Sequence, residues 1–382
     1  MGSTTGFFDE PQGAALFKHT IYGGYVPVWA RKVGSRSVGH RLNIFDGFAG
    51  AGAYLDGSPG SPMLALEIAA SLEEARDLRC FFVERDAAVL QRLAATVAAS
   101  PAATRATVLH GEVAEHLDTV LAQVAGEPLF AFLDPFGLGI PFDDLVGKLL
   151  RRRGPGGARV STEVLMTFVH AGVYRNAGKL ELASEDPAQV ANAEAVITNI
   201  NDNLGGPWWQ DIWRAGGRVH DRVAKIRAEY VRRILGAAGP AWRCYQAPVA
   251  DTWKGKPIYD LLFLTQHPQG VWYFNEAVSS ALKTFKERMA PNELLVPQLW
   301  EPKDEWQAEI AKNLRRLLAA GRPVHLIDHV GDLYGTTLGH ARGTHVRAAI
   351  KGLHAAGHTP TDGKGDPLWD LLVQPSARES TG

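Results

Sequence analysis

Leu42-Asn43-Ile44-Phe45-Asp46-Gly47-Phe48-Ala49-Gly50-Ala51-Gly52 is the stretch whose reading decides the fold. A short apolar run ends in an acid and opens into a loop with glycines at 47, 50 and 52. Glycine lets a backbone turn sharply and approach a ligand with no Cβ in the way. In an open α/β sheet, such a strand end is where ligands bind. The loop continues through Tyr54-Leu55-Asp56-Gly57-Ser58-Pro59-Gly60, and Ser61-Pro62 then reads as N-cap and first residue of a helix running to Leu72. It therefore does not open directly into a helix, as a dinucleotide fingerprint does. No Gly-Lys-Ser/Thr follows to cradle a phosphate. Asp46 at the head of the loop suits a cationic ligand better than a pyrophosphate. S-adenosylmethionine, with its ammonium and sulfonium groups, fits that requirement.

Outward from this stretch the chain alternates short apolar runs with helical spacing. Arg79–Val83 precedes Ala87–Ala99, Thr107–Leu109 precedes Val113–Ala125, Leu129–Leu133 follows, and Val160–Val169 is a fifth strand after an Arg/Gly/Pro loop. Strands that lead into helices predict βαβ units and a parallel sheet, and continuously apolar strands predict helices on both faces. Trp242–Val249 and Pro257–Thr265 read as two late antiparallel strands joined by Ala250–Lys256. The expected fold class is α/β: a Rossmann-like seven-stranded class I methyltransferase sheet, followed by a C-terminal winged helix-turn-helix. The expected domains are a helical cap over 1–40 and a methyltransferase domain over 41–290, with a substrate-region insertion near 170–240. A proline-marked linker over 291–304 and a winged helix over 305–375 complete the expectation. Within that last domain Glu305–Ala319, Val324–Leu333 and Thr344–Ala355 read as helices, and Gly357–Val373 as a hairpin-like wing.

Composition limits the function classes. The 382 residues exceed one ordinary core, and 40 Lys+Arg against 41 Asp+Glu leave a formal net charge of −1. A chain basic throughout is excluded, whereas a local basic face is not. With 46% hydrophobic and 21% charged residues, the chain is globular. Its two cysteines, Cys80 and Cys244, lie too far apart in sequence for a CxxC zinc or iron–sulfur site, so no metal is expected. Neither a signal peptide nor a membrane-spanning run is visible, and the expected location is cytoplasmic, with no membrane partner.

Further candidate residues stand at the ends of the next strands. Glu84 ends the second strand, where a carboxylate can accept hydrogen bonds from both ribose hydroxyls. Gly111-Glu112 follows the third, in position to approach an adenine. Asp134-Pro135-Phe136-Gly137 ends the fourth. There an acid, a carbonyl fixed by proline and an aromatic ring can hold a planar, amino-substituted base: Asp134 and the Pro135 carbonyl accept the amine hydrogens and Phe136 stacks. Such a site works by positioning rather than covalent chemistry. Asp46, Gly47, Phe48, Gly50, Gly52, Glu84, Gly111 and Glu112 are thus the candidate cofactor residues, and Asp134, Pro135 and Phe136 the candidate acceptor residues.

Asn43–Gly52 with Gly60-Ser61-Pro62, Phe82-Val83-Glu84, and Phe132-Leu133-Asp134-Pro135-Phe136-Gly137 together resemble the three-Cys-motif partner protein (TcmP) family. The likeness covers most of residues 7–290 and extends to the Tyr259–Phe263 strand. It implies a class I methyltransferase-like fold, S-adenosylmethionine as cofactor, and a three-cysteine, radical-SAM-like protein as partner. Asp-Pro-Phe-Gly departs from the Asp/Asn-Pro-Pro-Tyr/Phe of amino-methylating nucleic-acid enzymes, having one proline and its aromatic a residue early. It is more similar to the motif of tRNA guanine-N2 methyltransferases. The expected activity is methyl transfer to an amine-bearing planar acceptor, a nucleobase in tRNA, other RNA or DNA. A small-molecule N-methyltransferase and a non-catalytic SAM-binding regulatory partner are the alternatives.

Other features are less specific. From Ile310 onward the chain carries 9 Lys+Arg against 6 Asp+Glu and six of the 13 histidines. Arg342, Arg347 and Lys351 fall on or before the third C-terminal helix, as phosphate contacts or as part of a dimerisation module. His325 and His329 have the i, i+4 spacing of zinc ligands but no third ligand. Arg222, Lys225, Arg232 and Arg233 read as a solvated helix face, and Trp208, Trp209 and Trp213 as core or as a base-stacking floor. Lys18, His19 and Tyr22 sit in an amphipathic segment ahead of the first strand, with no role legible in their spacing.

Overall fold

The computed structural model describes residues 13–181, 185–252, 255–289 and 301–376. The stretch 290–300, which holds most of the expected linker, and Trp253 and Lys254 within the expected hairpin connection lie outside the described residues. The chain divides into two compact units, 1–266 and 267–382.

The first unit is built on seven strands: β1 (Arg41–Asp46), β2 (Asp77–Glu84), β3 (Ala106–His110), β4 (Leu129–Leu133), β5 (Thr162–Val169), β6 (Arg243–Val249) and β7 (Tyr259–Thr265). Their spatial order is β3-β2-β1-β4-β5-β7-β6. β1 to β5 are parallel, with Ile44 opposite both Cys80 and Phe130, and β7 runs antiparallel to β5 and β6. This is the Rossmann-like class I methyltransferase sheet. Its order reverses between β1 and β4, so the crevice above these two strand ends is the natural ligand site.

β4 is buried along its whole length, as is β7. Helix α1 (Gly13–Gly34) lies on one face, seating Tyr22 against Phe132 at 5.1 Å, Tyr25 against Phe263 at 4.9 Å and Trp29 against Phe130 at 5.5 Å between ring centroids. The crossover helices are α2 (Ser61–Ser71), α3 (Ala87–Ala98) and α4 (Val113–Gln123). After β5 come α5 (His170–Ala177), α6 (Pro187–Leu204), α7 (Trp209–Arg214) and α8 (Val219–Ala238).

Helix α2 begins one residue earlier than expected. Gly60 is its N-cap and Ser61 its first residue, so the serine hydroxyl does not cap and is free to face Asp46 instead. The three tryptophans are structural. Trp209 and Trp213 are buried, with Nε1 groups donating to Asn201 and Glu181, and Trp208 lies beneath Arg233. On the basic face of α8, Arg222 stacks on Trp213 at 3.9 Å and Arg232 and Arg233 both pair with Glu229, while Lys225 is exposed.

The second unit holds α9 (Pro268–Met289), α10 (Lys303–Leu318), α11 (Val330–Tyr334) and α12 (Gly343–Ala355), with β8 (Val324–His325) paired antiparallel to β9 (Leu372–Val373). Its core joins Trp272 to Ile310, Leu314, Leu333, Val346 and Ile350. Val324–Leu333 is not one helix. Val324 and His325 are extended to pair with β9, a 3-10 turn covers Leu326–His329, and only then does α11 begin. No hairpin partner for β9 occurs among the described residues after α12; its partner is β8, before α11. Arg347 donates to the Gly363 and Gly365 carbonyls and pairs with Asp366, and Arg342 faces Glu301 at 3.7 Å, so both serve the fold. His325 bonds Asp328 and Asp370, and no metal-holding cluster is present among the described residues. No helix among them is long and apolar enough to cross a membrane.

Candidate active site

The glycine loop after β1 is held from three sides. Gly47 N donates to the Phe132 carbonyl of β4 and Ala49 N to the Val83 carbonyl of β2, both at 3.0 Å. Glu84 Oε2 accepts from Gly50 N at 3.0 Å, and Gly60 N closes the far side onto the Gly52 carbonyl at 2.9 Å. Gly50 and Gly52 have φ of 63° and 81°, a region that favours glycine. A Cβ on Gly60 would lie 2.9 Å from the Gly52 carbonyl oxygen, so the two backbones touch only because Gly60 lacks a side chain, whereas a Cβ on Gly52 would meet Leu93 and Thr96.

Asp46 lies under this loop rather than in the open site. It is 0% exposed, and Oδ1 accepts from Phe48 N at 3.1 Å. Oδ2 is buried and makes no well-formed hydrogen bond. Burial pushes its carboxyl up to about 7, with the facing Ser61 hydroxyl and the Phe48 amide offsetting part of that rise. Gly47 is a packing glycine: a Cβ there would meet Leu133 at 2.9 Å. Glu84 offers one oxygen to Gly50 N and the other to Asp86 N at 2.8 Å. A carboxylate has about four lone-pair directions, so acceptor capacity remains for hydroxyl groups. Glu112 caps α4 in a reciprocal box with Glu115 and pairs with Arg85 at 3.3 Å. The side chain of Glu115 lies over Gly111, whose φ is 138°. Neither Gly111 nor Glu112 lines the cavity at the loop.

That cavity, of about 390 Å³, opens at the tips of β1, β4 and β5. Its lining brings Phe48, Gly50, Gly52, Tyr54 and Ser61 together with Asp134, Pro135 and Phe136. Phe136 is 62% exposed, an unusual state for a phenylalanine. The Asp134 carboxylate is fixed at both oxygens. Thr167 Oγ1 on β5 donates to Oδ1 at 3.0 Å, and the Lys18 ammonium of α1 forms an ion pair with Oδ2.

Lys18 is the residue that sequence spacing left without a role. It is only 7% exposed, and its Nζ also lies 5.7 Å from the Tyr259 ring centroid. Tyr259 Oη donates to the Ala14 carbonyl at 2.7 Å, which ties the start of α1 to the sheet. Beside Lys18, His19 faces the Tyr54 ring at 6.0 Å; burial first, then the Lys18 charge, lowers the imidazole to about 4, so it is neutral at pH 7. Asp251, after β6, lines the same cavity with its buried Oδ1 lacking a hydrogen-bond partner. An unpaired buried carboxylate oxygen is costly unless a ligand donates to it. This site therefore combines a glycine-bearing loop, an orphaned buried acceptor and a fixed carboxylate, a set of acceptors that fits a cationic cofactor.

No family model matches the chain, and no curated protein matches it. Several solved structures are similar in outline. The O-methyltransferase TomG from Streptomyces achromogenes, in complex with SAM, is 12% identical over 69% of this chain and 93% of its own, with a TM-score of 0.31. An O-methyltransferase from Bacillus cereus in complex with SAH is 14% identical over 64% and 80%, with a TM-score of 0.31. Protein LPL1258 from Legionella pneumophila is 11% identical over 74% and 94%, with a TM-score of 0.39. At such values the fold assignment rests on this chain's own strand order.

Proposed function

We propose that the chain is a methyltransferase that uses S-adenosylmethionine and acts on an amine-bearing planar acceptor, a nucleobase of RNA or DNA. The observation that carries this reading is the sharing of one cavity by the glycine loop and Asp134-Pro135-Phe136, with the Asp134 carboxylate clamped by Lys18 and Thr167. When bound, the cofactor supplies an electrophilic methyl group.

Every other role belongs to the chain. Gly50, Gly52 and Ser61 line the methionine end, and Asp46 acts from beneath by fixing the Phe48 turn. Glu84 keeps lone pairs for the ribose hydroxyls. Asp134 and the Pro135 carbonyl accept the two hydrogens of the acceptor amine, which turns its lone pair toward the methyl group, while Phe136 stacks on the base. Lys18 and Thr167 hold Asp134 in one orientation, so little reorganisation is needed at the moment of reaction. The proton that the methylated nitrogen sheds passes to water, which reaches the cavity beside the exposed Phe136. In the second unit, the order helix–strand–helix–helix–strand that follows α9 among the described residues supports reading that part as a winged-helix-like module for docking or dimerisation.

The test is Asp134→Ala. Transfer to the acceptor is expected to be lost while S-adenosylmethionine affinity, measured by calorimetry, stays within a few-fold of wild type. Full turnover by this variant would overturn the acceptor assignment.

A further inference from the structure

A second concavity, of about 570 Å³, lies between the Leu150–Val160 loop and the Gly236–Trp242 segment, with Gln266 on its rim. Its charged lining residues are all arginines: Arg151, Arg152, Arg153 and Arg159. It sits at the start of β5 and β6 and just after the antiparallel β7, the sheet edge opposite the cavity that Val169 helps to line.

Arg152 is committed to the fold. It donates to the Val124 and Glu127 carbonyls, and burial lowers its guanidinium to about 10. The other three are exposed and have no acidic partner among the described residues. Arg153 and Arg159 are bridge partners across the Pro155-Gly156-Gly157 turn, which Gly154 N closes onto the Ala158 carbonyl at 2.8 Å. Bridge partners project from the same face about 5 Å apart at Cβ, and like charges placed so repel. A pair held in that arrangement, with Arg151 beside it and no counter-charge, is relieved by a bound anion. Guanidinium forks match phosphate oxygens in geometry as well as charge.

We propose that this groove binds the phosphate backbone of a polynucleotide acceptor, an assignment that rests on the nucleobase reading above. Distance selects the polynucleotide. The run from Val160 to Val169 covers roughly 30 Å at about 3.3 Å per residue. A small metabolite cannot place its phosphate in the groove while its base lies beside Asp134. A nucleic acid can, because 30 Å corresponds to about nine base pairs of duplex.

The experiment uses the full chain, a fluorescein-labelled 30-nucleotide RNA of mixed sequence, and anisotropy from 50 to 300 mM NaCl. The triple variant R151A/R153A/R159A, altered only at exposed positions, is expected to bind about tenfold more weakly at 100 mM. Its log K–log salt slope is expected to be shallower by about 2, as three lost contacts to a single strand require. Its S-adenosylmethionine affinity should match wild type, which reports an intact sheet. An unchanged slope in the variant overturns the proposal. So does displacement of the RNA by polyglutamate at equal charge, which would assign the groove to an acidic protein, or by equimolar pyrophosphate, which would assign it to a small anion. Methyl incorporation into RNA is read separately. Incorporation with wild-type affinity in the variant overturns the groove and leaves the methylation reading standing; arginine-dependent binding without incorporation by wild type does the reverse.

Discussion

Replacing Asp46 by asparagine is expected to make the first unit more stable at pH 8 while leaving its stability near pH 4 almost unchanged. Asp46 is fully buried and its carboxyl is pushed up to about 7 from 3.8. Between those values the folded state holds a proton that the unfolded chain releases, so stability falls as pH rises from about 4 to 7 and levels off above. A shift of about 3 units corresponds to about 4 kcal/mol in total, of which about 2–3 kcal/mol falls between pH 5 and 8. Asparagine cannot ionise, and its carbonyl can still accept from Phe48 N. Urea denaturation of both proteins at half-unit steps from pH 5 to 8 reads the effect. The advantage of the variant should grow by about 2–3 kcal/mol across that range. Glu163, buried between Tyr25 Oη and Thr265 Oγ1 at 2.7 Å each and also pushed up to about 7, supplies an independent repeat through Glu163→Gln. If the D46N and wild-type curves run parallel within about 0.5 kcal/mol, Asp46 is not a buried, proton-holding carboxyl and the account of the loop is wrong.

Lys18→Met is expected to lower turnover about 10- to 100-fold while leaving S-adenosylmethionine affinity within about threefold, because it removes the clamp on Asp134 and not the cradle; single-turnover kinetics beside calorimetry separate the two. Gly52→Ala forces an L side chain into φ 81° with its Cβ 3.1 Å from Leu93. It should cost about 1–3 kcal/mol in urea denaturation and weaken cofactor binding. Phe136→Ala should reduce acceptor binding by about 1–3 kcal/mol without destabilising the chain, since the ring is largely exposed and a stacked base is worth that much. Arg347→Ala, which frees the Gly363 and Gly365 carbonyls, should lower the melting temperature of the second unit and leave the salt slope of RNA binding unchanged.

The sheet was legible because its strands are short, continuous and apolar. Leu129–Leu133 and Cys80–Val83 leave little choice but burial on both faces, and Gly and Pro residues mark both ends of the first run. The glycine loop and the Asp-Pro-Phe-Gly turn were legible for the same reason, since each is a local pattern at a strand end. Lys18 was not, because its role arises only when α1 folds over the β4 tip, 116 residues away in sequence. Asp251 was missed likewise: nothing in its neighbours signals that one carboxylate oxygen ends up buried without a donor. Asp46 shows the reverse case. The motif located it correctly at the loop head, but only packing reveals that it lies beneath the loop. Val324–Leu333 misled because a helix-compatible pattern was overridden at Val324 and His325 by pairing with a strand more than 40 residues later. The arginines at 151–159 were visible as composition; the bridge that brings Arg153 against Arg159 was not.

Incubation of the protein with methyl-labelled S-adenosylmethionine and total RNA, DNA and small-molecule extract, followed by mass analysis of each fraction, tests the central claim most directly. The account predicts label on an exocyclic amine of a nucleobase in the polynucleotide fraction, absent when Asp134 is alanine. Label on a hydroxyl oxygen of a small molecule, or no S-adenosylhomocysteine formed with any fraction, would contradict it.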